Sequence, residues 1–165
     1  MGGERRLLID LDASVKRPNW SARCSYYYHP GNDGANFLRE KATFGVFCRH
    51  CREGTCIRAC PTEALARGDD GIVRRSSMLC VKCNSCVIAC PFGTLMEELI
   101  PFATSHCDTC TARLGTGEVP LCVASSSDGS LQYVEMSEDP SKDIYALDQK
   151  VLVRTGMWKR DAGKG

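Results

Sequence analysis

The sequence predicts an α+β protein made of two small metal-held units, one inserted in the other, followed by a C-terminal arm. Three observations predict it. Twelve cysteines stand in 165 residues, far more than isolated buried thiols would need. Most of them fall in two dense runs near the middle of the chain, each closed by a proline. Short apolar segments of strand-like length, Arg6–Leu11, Thr43–Phe47, Ile72–Arg74 and Leu131–Met136, flank these loops, and the stretches ending at Cys60 and Cys90 suit short helices.

Composition narrows the function before any motif is read. A formal net charge of +1, from 21 Lys+Arg against 20 Asp+Glu, lacks the clustered basic excess of a nucleic-acid binder. The longest apolar stretches, Leu7–Ile9 and Val87–Ala89, fall far short of the roughly 20 residues of a membrane span. Arg5 and Arg6 are followed by Asp10 and Asp12, where an export signal needs uncharged apolar residues. A soluble, cytoplasmic protein is expected. In that reducing compartment clustered cysteines point to metal rather than to a disulfide framework.

The two central runs are Cys48, Cys51, Cys56, Cys60 with Pro61, and Cys80, Cys83, Cys86, Cys90 with Pro91. The second has the spacing C-x2-C-x2-C-x3-C-P of bacterial-type ferredoxins, whose fourth cysteine ligates the other cluster. The first is the same run with a longer loop. One tight loop reaches three corners of an iron–sulfur cube, and the fourth ligand arrives from the distant run. Cluster A is therefore expected on Cys48, Cys51, Cys56 and Cys90, and cluster B on Cys80, Cys83, Cys86 and Cys60. A structural zinc site also uses C-x2-C pairs, but it does not require this spacing twice.

Cys24, Cys107, Cys110 and Cys122 remain. Counting back from Cys24 by the same spacing lands on Ser14, Arg17 and Trp20, and counting four on from Cys122 lands on Ser126. A second pair of runs has thus lost the four ligands of one cluster and kept the four of its partner. Cluster C is expected on Cys24, Cys107, Cys110 and Cys122, making three 4Fe-4S clusters with no cysteine left over. The tails after each run repeat: Cys60-Pro61-Thr62-Glu63-Ala64-Leu65, Cys90-Pro91-Phe92-Gly93-Thr94-Leu95 and Ser126-Ser127-Asp128-Gly129-Ser130-Leu131. This alignment assigns Ser126 to a lost ligand position, and the bulky Arg17 and Trp20 are read equally as filling the vacated space or as surface residues.

With these residues in view, the chain resembles the four-cluster ferredoxin-like iron–sulfur subunits of multi-subunit oxidoreductases over about residues 6–136. Cys48-Arg49-His50-Cys51 looks like that family's second run, and Ile9-Asp10-Leu11-Asp12 like its opening strand. The resemblance implies service to molybdenum, tungsten, nickel or CO-metabolising catalytic subunits. A small chain with few insertions looks most like the partners of tungsten aldehyde oxidoreductases and class II benzoyl-CoA reductases, enzymes of anaerobic metabolism.

The expected organisation is an outer ferredoxin-like unit of residues 1–42 and 96–136, an inner one of 43–95, and a C-terminal docking arm of 137–165 containing a strand-like Lys150–Thr155. Such units bury little apolar surface, so metal supplies much of the folding free energy. His50 is read as lying beside the ligands or at the surface, Arg49, Arg52, Arg58 and Lys82 as charges favouring the reduced state or a solvated face, and Tyr26, Tyr27 and Tyr28 as packing. No catalytic residues are assigned. G-x-G-x-x-G and G-x-x-x-x-G-K are absent from the sequence, so a flavin would sit on another subunit. The expected function is electron relay to or from a tungsten or molybdenum catalytic subunit, with self-association left open. The alternatives are the same role in a hydrogenase, CO dehydrogenase or molybdenum formate dehydrogenase complex, a free ferredoxin, and a zinc-stabilised interaction scaffold.

Overall fold

The computed structural model describes residues 5–16, 22–97, 105–110 and 112–156. In chain order its strands are β1 (Arg6–Asp10), β2 (Leu65–Arg67), β3 (Val73–Arg75), β4 (Leu131–Val134), β5 (Ile144–Ala146) and β6 (Val151–Arg154). Its α-helices are α1 (Leu11–Val15), α2 (Gly34–Ala42), α3 (Thr55–Arg58), α4 (Ser85–Ala89) and α5 (Leu121–Ser125). Contacts divide the chain into one unit of Met1–Arg23 with Thr109–Gly165 and another of Cys24–Asp108.

The first unit is built on a four-stranded sheet in the order β4-β1-β6-β5. β1 runs antiparallel to β4 and parallel to β6, with Leu8 opposite both Gln132 and Leu152. Consecutive residues Leu7, Leu8 and Ile9 are all buried, as are Val151, Leu152 and Val153. Continuous rather than alternating burial marks strands covered on both faces. The β1 chain turns directly into α1, whose first turn is capped by Asp10 accepting from the Ala13 amide at 3.0 Å. Asp12 then accepts from the Thr155 hydroxyl at 2.9 Å and the Gly156 amide at 2.7 Å, fastening the end of β6 to α1.

This arrangement changes the reading of the C-terminal segment. Residues expected to form a docking arm supply β5 and β6, and β6 lies between β1 and β5 inside the sheet. Its apolar Val-Leu-Val run pairs with β1 far away in sequence, a partner no local pattern reveals.

In the second unit, Asp33 caps α2 by accepting from the Asn36 amide at 3.1 Å. The helix passes straight into a π-helical turn at Thr43–Phe47, all five residues buried. The apolar pattern predicts a strand-like segment there instead. An unbroken apolar run of this length carries no period to separate strand from buried helix, and Thr43 continues the helix by donating its hydroxyl to the Arg39 carbonyl at 2.8 Å. β2 and β3 form an antiparallel hairpin. Leu38, Ala42 and Phe47 are buried along the helical stretch, and one cluster of Phe44, Cys56, Leu65, Val73 and Leu95 has Cys48, Ile57, Ile72, Cys86, Val87 and Cys90 packed against it. The structure therefore sets α2 with the central runs, placing the unit boundaries at 24 and 109 rather than at 43 and 96.

Candidate iron–sulfur sites

The two central runs fold with the same local device. His50 and Lys82, each two residues after the first cysteine of a run, have left-handed φ values of 47° and 53°. Gly54 and Asn84, the residues just before α3 and α4, are also left-handed. These reversals wrap each loop inward, and the short helices carry Cys56 and Cys86 at their second positions. The Thr55 hydroxyl donates to the Ala89 carbonyl at 2.9 Å, tying the start of α3 to the end of α4.

Cys60 lines one cavity together with Cys80, Cys83 and Cys86. Thr62, Ala64, Leu65, Arg75, Lys82 and Asn84 complete much of its wall. The Ala64 amide donates to the Cys60 sulfur at 3.2 Å, and the Thr62 hydroxyl lies 3.7 Å from it. Burial works to raise the Cys60 thiol, but the Thr62 hydroxyl and the amides of Thr62, Ala64 and Leu65 outweigh it and hold the pKa below its ordinary value. Cys83 is likewise lowered by the Ser85 hydroxyl, 3.3 Å away, and by the Ser85 amide. Cys86 is raised by burial, with the thiolates of Cys80 and Cys60 adding to the effect.

Cys90 joins the other run. The Cys48 thiol is raised by burial and, further, by its neighbours Cys51 and Cys90; the His50 amide, 3.4 Å from the sulfur, and the Arg67 charge oppose this. Cys56 is raised by burial and by Cys48, Cys51 and Cys90. Each of these thiols resists becoming a lone thiolate beside the others, which is the environment a cationic metal cluster relieves. Cys90 itself feels burial, but the Thr94 hydroxyl at 3.4 Å and the amides of Thr94, Phe92 and Leu95 bring it below the ordinary value. The His50 ring bonds the Phe44 carbonyl at 2.7 Å, so only its backbone faces a ligand sulfur. Arg67 braces the same loop by donating to the carbonyls of Cys51, Gly71 and His50 at 2.6, 3.0 and 3.4 Å.

The third set is seen in two parts, each within its own unit. Cys24 and Cys107 flank Gly34, where an added Cβ would meet the Cys24 sulfur at 3.3 Å and the Cys107 Cβ at 3.7 Å. Asn32 organises this pair: its amide nitrogen donates to the Cys24 sulfur at 3.2 Å and the His106 carbonyl at 2.8 Å, while its oxygen accepts from the His106 amide at 2.7 Å. In the other unit Arg113 donates to the Cys110 sulfur at 3.4 Å. Thr109, two residues after Cys107, has φ 57°, the same reversal as His50 and Lys82.

Ser126 occupies the structural position of Cys90. Cys122 is second in α5 as Cys86 is in α4, and the residues ending the two helices have matching backbones: φ −80°, ψ 98° at Ser126 and φ −73°, ψ 110° at Cys90. Three residues later Gly129 and Gly93 are both left-handed. The Ser126 hydroxyl donates to Asp128 at 2.7 Å, and Asp128 also takes the Ser130 amide and hydroxyl at 3.0 and 2.6 Å. A closed polar network thus stands where the other tails hold sulfur. Ser14, in α1, is fully buried and donates to the Leu11 carbonyl at 2.9 Å. The loop expected to carry lost ligands is a helix at this point; Arg17 and Trp20 lie outside the described residues.

Sequence reading overlooked Thr62, Thr94, Asn32, Arg67 and Arg75. Thr62 follows its cysteine by two residues and Thr94 by four, so no shared spacing announces them. Among the expected charges, Lys82 lines the Cys60 cavity, whereas Arg58 pairs with Glu53 at the surface. Tyr27 and Tyr28 pack ring on ring, and Tyr26 packs on Tyr28 and His106. Among the described residues, no three His, Cys, Asp or Glu side chains converge closely enough to hold a single metal ion, and no helix is long and apolar enough to cross a membrane. Cys60, Cys80, Cys83 and Cys86 line their cavity without meeting at a point.

A family model described as a 4Fe-4S dicluster domain matches residues 40–136. The putative oxidoreductase AegA of Escherichia coli K12 is 34% identical over 116 residues, covering 66% of this chain and 17% of that protein. The B component of the polysulfide reductase of Wolinella succinogenes is 34% identical over 108 residues, 65% of this chain and 56% of its own length. The thiosulfate reductase electron transfer subunit PhsB of Salmonella typhi is 29% identical over 150 residues, 87% of this chain and 78% of its own. The chain thus spans about half the length of the second of these relatives and a sixth of the first.

Proposed function

The chain belongs to the 4Fe-4S dicluster domain family, and from that premise we propose that it is the electron-transfer subunit of an oxidoreductase complex, carrying three 4Fe-4S clusters. The observation that carries the reading is the exchange of fourth cysteines: Cys60 lines a cavity with Cys80, Cys83 and Cys86, and Cys90 shares its electrostatic surroundings with Cys48, Cys51 and Cys56. Four sulfurs around a space, rather than on a point, suit a cube with iron at its corners better than one tetrahedral zinc ion.

When bound, the clusters supply one-electron transfer. The chain's own work is to hold and insulate them. Phe44, Leu65, Val73 and Leu95 make one small apolar core that ligands of both inner sets border, Cys56, Cys48 and Cys90 from one and Cys86 from the other. The Thr62 and Thr94 hydroxyls and nearby amides donate to the fourth cysteines, an arrangement that stabilises the more negative, reduced state.

The third cluster, on Cys24, Cys107, Cys110 and Cys122, is supported by the repeated reversal at Thr109 and by the use of every cysteine. A fourth, on Ser14, Arg17, Trp20 and Ser126, has no ligand sulfur left. The partner we propose is a catalytic subunit with a molybdenum or tungsten cofactor. The names of the relatives support a reductase of sulfur compounds and lend nothing to an aldehyde oxidoreductase.

Iron, acid-labile sulfide and zinc per chain on anaerobically purified protein test the reading. About twelve irons and twelve sulfides are expected. About eight would remove the third cluster, and zinc in place of iron would overturn the function.

A further inference from the structure

We propose that Arg75 sets the reduction potential of the cluster held by Cys60, Cys80, Cys83 and Cys86, by donating a hydrogen bond from Nη1 to the sulfur surface of that cluster. The inference rests on the cluster reading above and adds a named tuning residue to one of its sites. Arg75 ends β3, and its side chain is only 2% exposed. Its Nε donates to Glu40 Oε1 at 2.6 Å and its Nη2 to Glu40 Oε2 at 2.7 Å, a two-pronged pair with a carboxylate that α2 holds at 12% exposure. Two of the three guanidinium nitrogens are thereby satisfied.

The third is not. Nη1 is buried and, apart from the guanidinium's interaction with the Cys80 sulfur, has no hydrogen-bond partner in the protein. A buried donor left unmade costs about 1–3 kcal/mol, more when charged, so such an atom in a paired, well-fixed side chain calls for an acceptor. Arg75 lines the same cavity as the four cysteines, and its charge acts on the Cys80 sulfur. The cluster is rich in anionic sulfur and becomes more negative on reduction. A fixed cationic donor against it therefore stabilises the reduced form and raises the potential. Glu40 acts with the opposite sign, since its carboxylate neutralises part of the guanidinium charge. At the other inner site Arg67, exposed, spends its donors on the backbone carbonyls of His50, Cys51 and Gly71.

A salt bridge that only fastened α2 to β3 would give variants with altered stability and no ordered change in potential. The distinguishing experiment is an EPR-monitored redox titration of the iron-loaded full chain as wild type, Arg75→Gln and Glu40→Gln. In Arg75→Gln one cluster's reduced-to-oxidised ratio at fixed potential should fall roughly tenfold, about 59 mV for a one-electron couple. In Glu40→Gln the same cluster should shift the other way, and the remaining clusters should stay within error of wild type. If Arg75→Gln fails to load iron, Glu40→Gln decides alone, because its amide oxygen can still accept from the guanidinium and preserve the fold. No shift, shifts of one sign in both variants, or an equal shift in every cluster would overturn the proposal. A wild-type protein without 4Fe-4S signals would instead defeat the cluster reading, leaving the two failures distinct.

Discussion

Cys60 and Cys90 each leave the run in which they are encoded, and that exchange makes a sharp residue-scale prediction. Cys60→Ala should cost about four irons per chain, and adding Cys80→Ala should cost no more, because both residues serve one site. Adding Cys56→Ala to Cys60→Ala should cost about eight. Iron analysis of the three variants checks this, and the reverse order of losses in the two double variants would show that each run holds its own cluster. The hydroxyls on the fourth cysteines give a second prediction. Thr94 is buried and 3.4 Å from the Cys90 sulfur, so Thr94→Val, which keeps the shape and removes the donor, should lower the midpoint of the Cys48–Cys90 cluster and leave the Cys60 site unchanged in a redox titration. A fall in both midpoints would mean that the hydroxyl acts on the shared core rather than on one sulfur.

At the scale of elements, the 4Fe-4S character of the central runs was legible because cysteine spacing is a geometric requirement written into adjacent residues. The strands β1, β4 and β6 and the helices ending near Cys60 and Cys90 were legible for a similar local reason. Thr43–Phe47 was not, since a wholly buried helical turn and a buried strand share one apolar pattern. Nor was the place of β6, whose partner β1 lies about 145 residues earlier, or the Glu40–Arg75 pair, formed between elements 35 residues apart. The α5 tail shows how far a repeat can be trusted. Its backbone follows that of α4 through the left-handed glycine, yet Ser126 is held in a network with Asp128 and Ser130. Restoring sulfur there with Ser126→Cys should therefore add no iron, because Ser14, counted to the same lost set, is locked inside α1. A gain of about four irons would show that the lost site can still be assembled.

For the whole molecule, the two units differ in what holds them. Around its two central cysteine runs the Cys24–Asp108 unit has one cluster of five buried residues, Phe44, Cys56, Leu65, Val73 and Leu95, with Cys48, Cys86 and Cys90 packed against it. Without metal its raised thiols, the buried Cys56 and the half-buried Cys48 and Cys86, would sit protonated with no cube to span them, and the cluster between the two runs is too small to offset the entropy of ordering their loops. The other unit carries an apolar sheet of its own, in which Ile9, Val151, Leu152 and Val153 are fully buried. Removing iron should therefore not unfold the chain evenly. Amide hydrogen exchange after chelation should show β2, β3 and the Phe44 turn losing protection, while β1 and β6 keep much of theirs. The sheet has its own control: Leu152→Ala, at a site with no exposure, should cost roughly 2–5 kcal/mol and shift the protection of β1 and β6 without changing the iron count. Uniform loss of protection on chelation would mean instead that the sheet, too, depends on metal and that the chain folds as a single cooperative body around its clusters.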